Sequence, residues 1–313
     1  MNQLIAKFRK SIVESLPRSF STIVWLLKIM LPISLAVRVL DYYGIISYLS
    51  DFLHPLFQLI GLPGSLAIVF VTSVFVPLYG AIAVMASLTM TLREATILSI
   101  MCLIAHNLLV ECAVTKKTGS SFWGMIALRI GSAFIMAFAL NKVLPLDDSP
   151  FKLSIQSEVY TNLGDVFSGW FYSSLQLSLV IILIVTSLMI LQRLLLEFNL
   201  IDKLSKPLVP LMKVFGLPKN APFLWIVGNV VGLAYGGAVM VEEIEKGRMT
   251  YQEANTVNYH LSISHSLLED TLLFVALGIN IWIIVISRVL FAIVVVWIRR
   301  LVLYLSKPSL SDV

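Results

Sequence analysis

Ionisable side chains inside apolar segments are the residues of this sequence that could do chemistry. In the second half of the chain, His265 precedes Glu269 by four residues and Asp270 by five, within the apolar stretch 252–275. In the first half, His106 precedes Glu111 by five residues, within the stretch 93–114. A charge at the centre of a bilayer costs about 2.5 to more than 10 kcal/mol, so such residues face a cavity or a partner. Because a helix places residues four apart on one face, we expect His265 and Glu269 to point the same way.

Three kinds of chemistry fit these residues. Carboxylates and amides hydrogen-bond the hydroxyls or ring nitrogens of a polar solute. A substrate or ion site of this kind would use eight residues: His106, Glu111, Asn229, Glu242, Glu243, His265, Glu269 and Asp270. Imidazole, carboxylate and thiol are also ligands for Fe²⁺, Zn²⁺ or Mn²⁺. A metal path would use five residues: Cys102, His106, His265, Glu269 and Asp270.

The third kind is structural: a histidine pairs with a carboxylate, and Arg129 and Arg288 serve as counter-ions. For His106 alone we favour this structural role. For His265 with Glu269 and Asp270 we favour function, because three adjacent ionisable groups exceed what one ion pair requires. Protonation of a histidine or of a desolvated carboxylate would also suit coupling to H⁺.

The composition places these residues in a membrane protein. Of the 313 residues, 58% are hydrophobic and 13% are charged, whereas soluble domains are about 45–50% apolar and about 25% charged. We therefore predict an all-α polytopic membrane protein and exclude a secreted disulfide scaffold, a disordered protein and an ordinary cytosolic enzyme. No basic run interleaved with aromatic residues supports a nucleic-acid partner, and no P-loop, HExxH or GxSxG motif indicates an enzyme or a bound cofactor.

The sequence contains two copies of one pattern. The tripeptide Gly-Leu-Pro at 61–63 recurs at 216–218, and Ala-Val-Met at 83–85 recurs at 238–240, both at an offset of 155 residues. After four extra residues near 245–248, an offset of 159 relates His106 to His265 and Arg129 to Arg288. Paired motifs in the same order with one insertion indicate a duplication. We predict five parts: a basic cytoplasmic segment 1–20, a first membrane repeat 21–143, a polar extracytoplasmic linker 144–167, a second repeat 168–303 and a cytoplasmic tail 304–313.

Each repeat is predicted to contain, in order, a long apolar helix, an amphipathic stretch, a segment that begins with Gly-Leu-Pro and two further apolar helices. The predicted bounds are 22–40, 44–59, 62–90, 93–114 and 121–142 in the first repeat, and 168–196, 199–214, 217–244, 252–275 and 280–300 in the second. The segments 62–90 and 217–244 either cross the membrane once or form re-entrant helical hairpins. The break of such a hairpin would lie at Pro77 in the first repeat and within 228–237 in the second.

The positions of the basic residues favour the hairpins. With hairpins, 16 basic residues lie on the cytoplasmic side and 4 lie outside; with full crossings, the numbers are 12 and 8. The positive-inside rule selects the first arrangement. Three crossings per repeat make the two copies inverted, with both termini cytoplasmic. Inverted repeats with broken segments are typical of secondary transporters, and the broken segments indicate the binding site.

The run Tyr-Gly-Gly-Ala-Val-Met-Val-Glu-Glu at 235–243, followed by His-Ser-Leu-Leu-Glu-Asp-Thr at 265–271, resembles the Gate, or nucleoside-recognition, domain at about 218–300. That domain is shared by the membrane part of ferrous-iron transporter B and by spore-maturation membrane proteins. The first repeat, with Tyr79-Gly80 and His106, resembles a degenerate copy. The resemblance implies a fold similar to that of the concentrative nucleoside transporters.

The leading hypothesis is therefore a multi-pass transporter of the cell (plasma) membrane that moves a small polar solute, nominally nucleoside-like, by alternating access. The site would lie between the two hairpins and the histidine-containing helices, with Asn229 as an amide contact and Glu242 and Glu243 as polar or cation ligands. Na⁺ or H⁺ would be the coupling ion. The alternatives are a divalent-metal permease and a non-transporting membrane partner or regulator. Beyond the lipid bilayer and the solute or cation, expected partners are a second copy of the chain or a membrane subunit.

Overall fold

The computed structural model describes residues 2–151 and 162–306. Within these ranges the chain forms helices joined by short connections, and the one β contact is an isolated antiparallel bridge between Thr91 and Pro150. The predicted all-α class is therefore confirmed for the described residues. Met1, residues 152–161 of the predicted linker and residues 307–313 of the predicted tail lie outside them.

Fifteen α-helices are found in the described part of the chain. In the first half they are α1 (Asn2–Tyr42), α2 (Ile45–Leu59), α3 (Ala67–Phe75), α4 (Leu78–Met85), α5 (Leu92–Ala105), α6 (Leu108–Lys117) and α7 (Phe122–Val143). In the second half they are α8 (Leu163–Glu197), α9 (Leu200–Ser205), α10 (Val209–Phe215), α11 (Pro222–Val230), α12 (Leu233–Glu245), α13 (Tyr251–Ser264), α14 (Glu269–Ala276) and α15 (Ile281–Leu305).

Five segments are long and apolar enough to cross a membrane by length and composition. They are Lys7–Tyr42, Leu92–Lys117, Phe122–Val143, Leu163–Glu197 and Ile281–Leu305. A sixth results if Ser50–Leu59 and Gly64–Phe75, which are bent by 101° relative to each other, are counted as one broken span. Five of the six predicted crossings are among these segments, and the predicted crossing at 252–275 is not. The protein is an all-α polytopic membrane protein.

The chain divides into two compact units. The first comprises the described residues within Met1–Leu109, Ile130–Phe198 and Leu272–Ile281, and the second those within Val110–Arg129, Asn199–Thr271 and Trp282–Val313. In the first unit α1 and α8 pack against each other. Polar contacts reinforce that packing: Arg38 Nη2 donates to Ser173 Oγ at 2.7 Å, and Trp170 Nε1 donates to Ser34 Oγ at 3.0 Å.

In the second unit, α11, α12 and α13 pack together around an apolar core. Its members include Met212, Phe215, Leu224, Leu261 and Val296, each at most 8% exposed. Because these side chains come from α10, α11, α13 and α15, their burial holds four helices at fixed positions. These helices carry or flank the polar residues of the second repeat.

Both Gly-Leu-Pro segments fold as helical hairpins. The first breaks between α3 and α4 at Val76–Pro77, and the second breaks between α11 and α12 at Val231–Gly232. None of the four helices exceeds 13 residues, whereas about 20 are needed to span a bilayer. A Cβ added to Gly236 would lie 3.1 Å from Gly228 Cα, so the arms of the second hairpin pack closely. The predicted breaks are confirmed; the inverted orientation of the repeats stays a prediction.

The helices that follow the hairpins are broken as well. The continuous helices predicted over 93–114 and 252–275 are wrong: α5 ends at Ala105 before α6, and α13 ends at Ser264 before α14. A residue in the left-handed region follows each histidine, with φ of 47° at Asn107 and 53° at Ser266. The expectation that His265 and Glu269 share one helix face fails for the same reason, because the helix is interrupted between them.

Equivalent residues build equivalent local structure in the two repeats. A capping box of Thr91 and Glu94 starts α5, and one of Thr250 and Glu253 starts α13, 159 residues later. In each box the threonine hydroxyl accepts from the glutamate N–H and the glutamate carboxylate accepts from the threonine N–H, which satisfies two amides of the first turn. The shared start and the shared break indicate that the duplication extends to backbone geometry.

Candidate functional site at the hairpin and helix break of the second repeat

The tip of the second hairpin is bound directly to the break between α13 and α14. Ser266 N–H donates to Gly228 O at 3.0 Å, and Leu268 N–H donates to Asn229 O at 3.0 Å. Gly232, at the hairpin tip, has a φ of 102°, and a Cβ there would lie 3.2 Å from Ser266 Oγ. The carboxyl ends of α11 and α13 and the amino ends of α12 and α14 therefore meet at one place. Helix ends that meet in this way present backbone groups to a ligand.

Asn229 supplies a side-chain acceptor at this junction. The residue is 4% exposed, and its Nδ2 donates to Trp225 O at 2.8 Å. Its Oδ1 has no hydrogen-bond partner among the residues that the structure describes. Leaving a buried acceptor unsatisfied costs about 1–3 kcal/mol. A ligand with an N–H or O–H group would satisfy Oδ1, so the predicted role of Asn229 as an amide contact is compatible with its position.

A buried ionic cluster lies in the same unit. Arg129 Nη1 is 2.6 Å from Glu111 Oε2, and these side chains are 1% and 9% exposed. His265 Nε2 is 3.2 Å from the same carboxylate oxygen. Arg288, which is fully buried, donates from Nε to Ile263 O at 2.9 Å and from Nη2 to His265 O at 2.6 Å. Arg129 therefore pairs with Glu111, whereas Arg288 binds carbonyl groups at the end of α13.

The contact between His265 and Glu111 requires a proton. Nδ1 of His265 lies 2.8 Å from Leu261 O, and a carbonyl oxygen only accepts, so this partner assigns a hydrogen to Nδ1. Nε2 then faces a carboxylate oxygen at 3.2 Å. A bare lone pair in that position would repel the carboxylate, so a hydrogen on either Nε2 or the carboxyl group is needed to make the contact favourable.

Glu269 and Asp270 occupy the first turn of α14. Acidic side chains are favourable there because the amino end of a helix carries a partial positive charge. Asp270 is 7% exposed, and its N–H donates to Ser266 O at 3.0 Å. Glu269 is half-buried. The two residues thus lie one turn beyond the break that carries His265, within the second unit.

Glu242 and Glu243 lie at the far end of α12. Glu242, whose side chain is 55% exposed, pairs with Lys246, and Glu243 Oε2 accepts from Arg248 Nε at 2.8 Å. Both basic partners belong to the four extra residues of the second repeat. Ten residues of helix separate Glu242 from Gly232, a distance of about 15 Å along the axis. The structure does not bring this pair to Asn229, and a role for it as a ligand stays a prediction.

His106 and Cys102 lie in the first unit. His106 is 6% exposed and follows the last residue of α5; its Nδ1 donates to the backbone oxygen of Cys102 at 3.1 Å. The thiol of Cys102 is fully buried in α5. The amide of Asn107 donates to Ser73 O at 2.8 Å, which matches the bond from Ser266 to Gly228 in the second repeat. His106 thus occupies the equivalent break, and its use by a metal stays a prediction.

Two polar residues of α13 were given no role from the sequence. Asn258 Nδ2 donates to Thr118 Oγ1 and to Ser120 Oγ, both at 2.8 Å. His260 is fully buried, accepts at Nδ1 from Trp225 Nε1 at 3.2 Å and stacks on Phe215. Polar residues one to two turns before His265, in an otherwise apolar segment, were the available signal. Their partners are 35 to about 140 residues away in sequence, so spacing alone could not identify them.

Comparisons with known proteins indicate which family and which relative this chain resembles. Residues 23–122 match the family described as Gate, nucleoside recognition. This confirms the resemblance to the Gate family. The matching residues are those of the first repeat, whereas the motifs that indicated the Gate resemblance lie at 218–300. The uncharacterized membrane protein YvoD of Bacillus subtilis (strain 168) is 28% identical over 295 residues, which cover 90% of this chain and 91% of that protein.

No solved structure matches the chain significantly. The fold similarity to the concentrative nucleoside transporters therefore stays a prediction. The membrane-protein relative and the five apolar segments together make this chain a multi-pass membrane protein.

Proposed function

We propose that this protein moves a small polar solute across the cell membrane by alternating access, and that the solute binds where the α11–α12 hairpin meets the break between α13 and α14. One observation carries the proposal: the buried Oδ1 of Asn229 has no partner in the described part of the chain, at a point where four helix ends meet. A nucleoside-like solute has N–H and O–H groups that would satisfy this acceptor. The family description, nucleoside recognition, supports the same class of substrate.

The proposed coupling ion is H⁺, held between His265 and Glu111. Arg129 lies 2.6 Å from the same Glu111 oxygen, and Arg288 donates to the backbone oxygen of His265. Removing the proton would leave an imidazole lone pair facing a carboxylate, so the contact would lengthen. Because His265 directly follows α13 and the next residue, Ser266, is bound to the hairpin, proton occupancy would act on the geometry of the solute site.

The divalent-metal alternative has mixed support in the second unit, where ligand atoms of His265 and Asp270 lie within 4.8 Å of each other. The contacts of Glu111 and His265 include a buried guanidinium for each, from Arg129 and Arg288 respectively. Two guanidinium groups near His265, the predicted metal ligand among these residues, oppose binding of a divalent cation there.

The test is uptake of labelled nucleosides into proteoliposomes, with an inward H⁺ gradient, an inward Na⁺ gradient or neither. We expect uptake to be stimulated by the H⁺ gradient. Asn229→Ala should lower uptake about tenfold, because one hydrogen bond to the solute is worth about 1.5 kcal/mol. Asn220→Ala is the matched control: Asn220 is exposed and donates to Arg248 O, so its loss should leave uptake unchanged.

The outcomes separate the parts of the proposal. Absence of flux for every nucleoside and base tested would exclude this substrate class and favour the membrane partner or regulator. Unchanged uptake by Asn229→Ala, with the protein folded, would exclude the proposed site. Stimulation by Na⁺ but not H⁺ would exclude the His265–Glu111 coupling. Iron, zinc or manganese retained by the purified protein and lost in His265→Ala would establish the metal permease instead.

A further inference from the structure

A groove of about 1170 Å³ lies beside the carboxyl end of α15 in the second unit. Its walls come from the end of α15, the start of α13 and the Gly-Leu-Pro segment at 216–218. Trp297, Arg299, Arg300 and Tyr304 give the groove a basic and aromatic lining. The charged cluster of His265 and Glu111 is not part of this lining, so the groove is a separate feature of the unit.

The two arginines are fixed in place without an acidic partner. Arg299 Nη1 donates to Tyr259 OH at 2.8 Å, and its guanidinium lies 3.9 Å from the centre of the Tyr259 ring. Arg300 Nη1 donates to Gly216 O at 3.1 Å, and its guanidinium lies 5.2 Å from the Trp297 ring. These partners are neutral, and among the described residues no carboxylate forms an ion pair with either arginine.

The acidic residue on the groove wall, Glu253, forms no ion pair with either arginine in the described part of the chain. The carboxylate of Glu253 accepts from Thr250 N–H at 2.8 Å and from the Thr250 hydroxyl at 3.0 Å, as part of the capping box of α13. The groove therefore presents two preoriented guanidinium groups. Planar guanidinium groups bind phosphate oxygens in a bidentate manner, which favours an anionic phosphate as the occupant.

The surroundings of the arginines are those of a membrane interface. Trp297 and Tyr304 are 48% and 74% exposed at the end of an apolar helix that is long enough to cross a bilayer. Exposed aromatic side chains at the end of such a helix are typical of the headgroup region. Leu301 and Leu303, which also line the groove, are 57% and 49% exposed. An occupant with both a phosphate and an apolar part would contact the whole lining.

We propose that this groove binds an anionic phospholipid, with its phosphate on Arg299 and Arg300 and an acyl chain along Leu301 and Leu303. The charge distribution of the sequence predicts that this end of α15 is cytoplasmic, where anionic lipids produce a negative surface potential. Inorganic phosphate offers the same charged group without the apolar part. The lipid site is independent of the solute site, and either proposal stands if the other fails.

The experiment measures binding of fluorescent phosphatidylglycerol to the full purified chain in detergent micelles, with phosphatidylcholine as the neutral lipid. The double variant Arg299→Gln/Arg300→Gln should bind phosphatidylglycerol about 30-fold more weakly, because each basic residue contributes about a fivefold gain in binding of an anionic lipid. The control variant Lys203→Gln/Lys213→Gln removes the same amount of charge from helices α9 and α10. It should retain nearly all of the binding.

Equal loss in the two double variants would show a general charge effect and overturn the proposal. Complete displacement of bound phosphatidylglycerol by millimolar inorganic phosphate would identify a free-phosphate site instead. If the arginine variant does not fold, a crosslinking experiment on the unaltered protein tests the proposal. A photoactivatable phosphatidylglycerol should crosslink within residues 297–306, and crosslinks confined to other helices would overturn the proposal.

Discussion

Replacing Glu111 with glutamine tests whether the buried ionic cluster holds the second unit together. The substitution keeps the size of the side chain and removes a carboxylate oxygen that lies 2.6 Å from Arg129 and 3.2 Å from His265. The buried charge of Arg129 then loses this counter-charge. We expect Glu111→Gln to unfold at a lower denaturant concentration than the unaltered protein.

The burial of the pair determines the magnitude. With side chains 1% and 9% exposed, the Arg129–Glu111 pair is shielded from water, and removal of one partner of such a pair costs about 3–5 kcal/mol. The pair of Arg248 and Glu243 is 56% and 21% exposed and provides the matched control. For an exposed pair the expected cost of Glu243→Gln is about 0–1 kcal/mol. The two glutamate substitutions should therefore differ by at least about 2 kcal/mol.

The assay is equilibrium unfolding in detergent micelles, followed by the fluorescence of the six tryptophans. The double variant Glu111→Gln/Arg129→Met removes both charges and should be more stable than Glu111→Gln, because no buried charge is left without its partner. The reasoning is refuted if Glu111→Gln unfolds within about 1 kcal/mol of the unaltered protein. It is also refuted if the double variant loses as much stability as the two single variants added together.

Two further predictions address the hairpin and the topology. Gly232→Ala should destabilise the protein by about 1–3 kcal/mol, because a φ of 102° is strained for alanine; Gly131→Ala, in α7 with no atom near the added methyl, should stabilise it by about 0.5–1 kcal/mol. If Gly232→Ala unfolds thermally at the same temperature as the unaltered protein, the strain argument is contradicted. In Asp148→Cys, the new cysteine should react with an impermeant maleimide added outside intact cells. Cys102 and Cys112 should not react, because they are buried. Labelling only in opened cells would contradict the predicted orientation.

The sequence predicted those parts of the fold that depend on local chemistry. The hairpin breaks follow from residue types: Pro77 has no N–H to donate within a helix, and Gly232 adopts a positive φ. The breaks at His106 and His265 were missed because the apolar pattern continues through them. These breaks are stabilised by amides that donate to carbonyl oxygens of a hairpin about 35 residues earlier. The spacing of residues along one helix does not reveal such bonds.

The same limit applies to the site. Residue type identified Glu111 and His265 as candidates, but their contact joins positions more than 150 residues apart. The glutamates at 242 and 243 were expected at the site because they are carboxylates at the end of the second broken segment. The structure instead pairs them with Lys246 and Arg248, at the end of α12 that lies away from Asn229. The segment 1–20, expected as a separate basic segment, continues α1 back to Asn2 in the described chain.

The two repeats share a backbone frame but differ in the side chains placed on it. The bond from Asn107 N–H to Ser73 O in the first copy corresponds to the bond from Ser266 N–H to Gly228 O in the second. At the position equivalent to Asn229, however, the first copy has Val74. Valine offers no side-chain acceptor, so the frame does not depend on the amide of Asn229. The polar group on which the proposed solute contact depends is therefore present at this position in the second copy and not in the first, although an unsatisfied buried acceptor lowers stability.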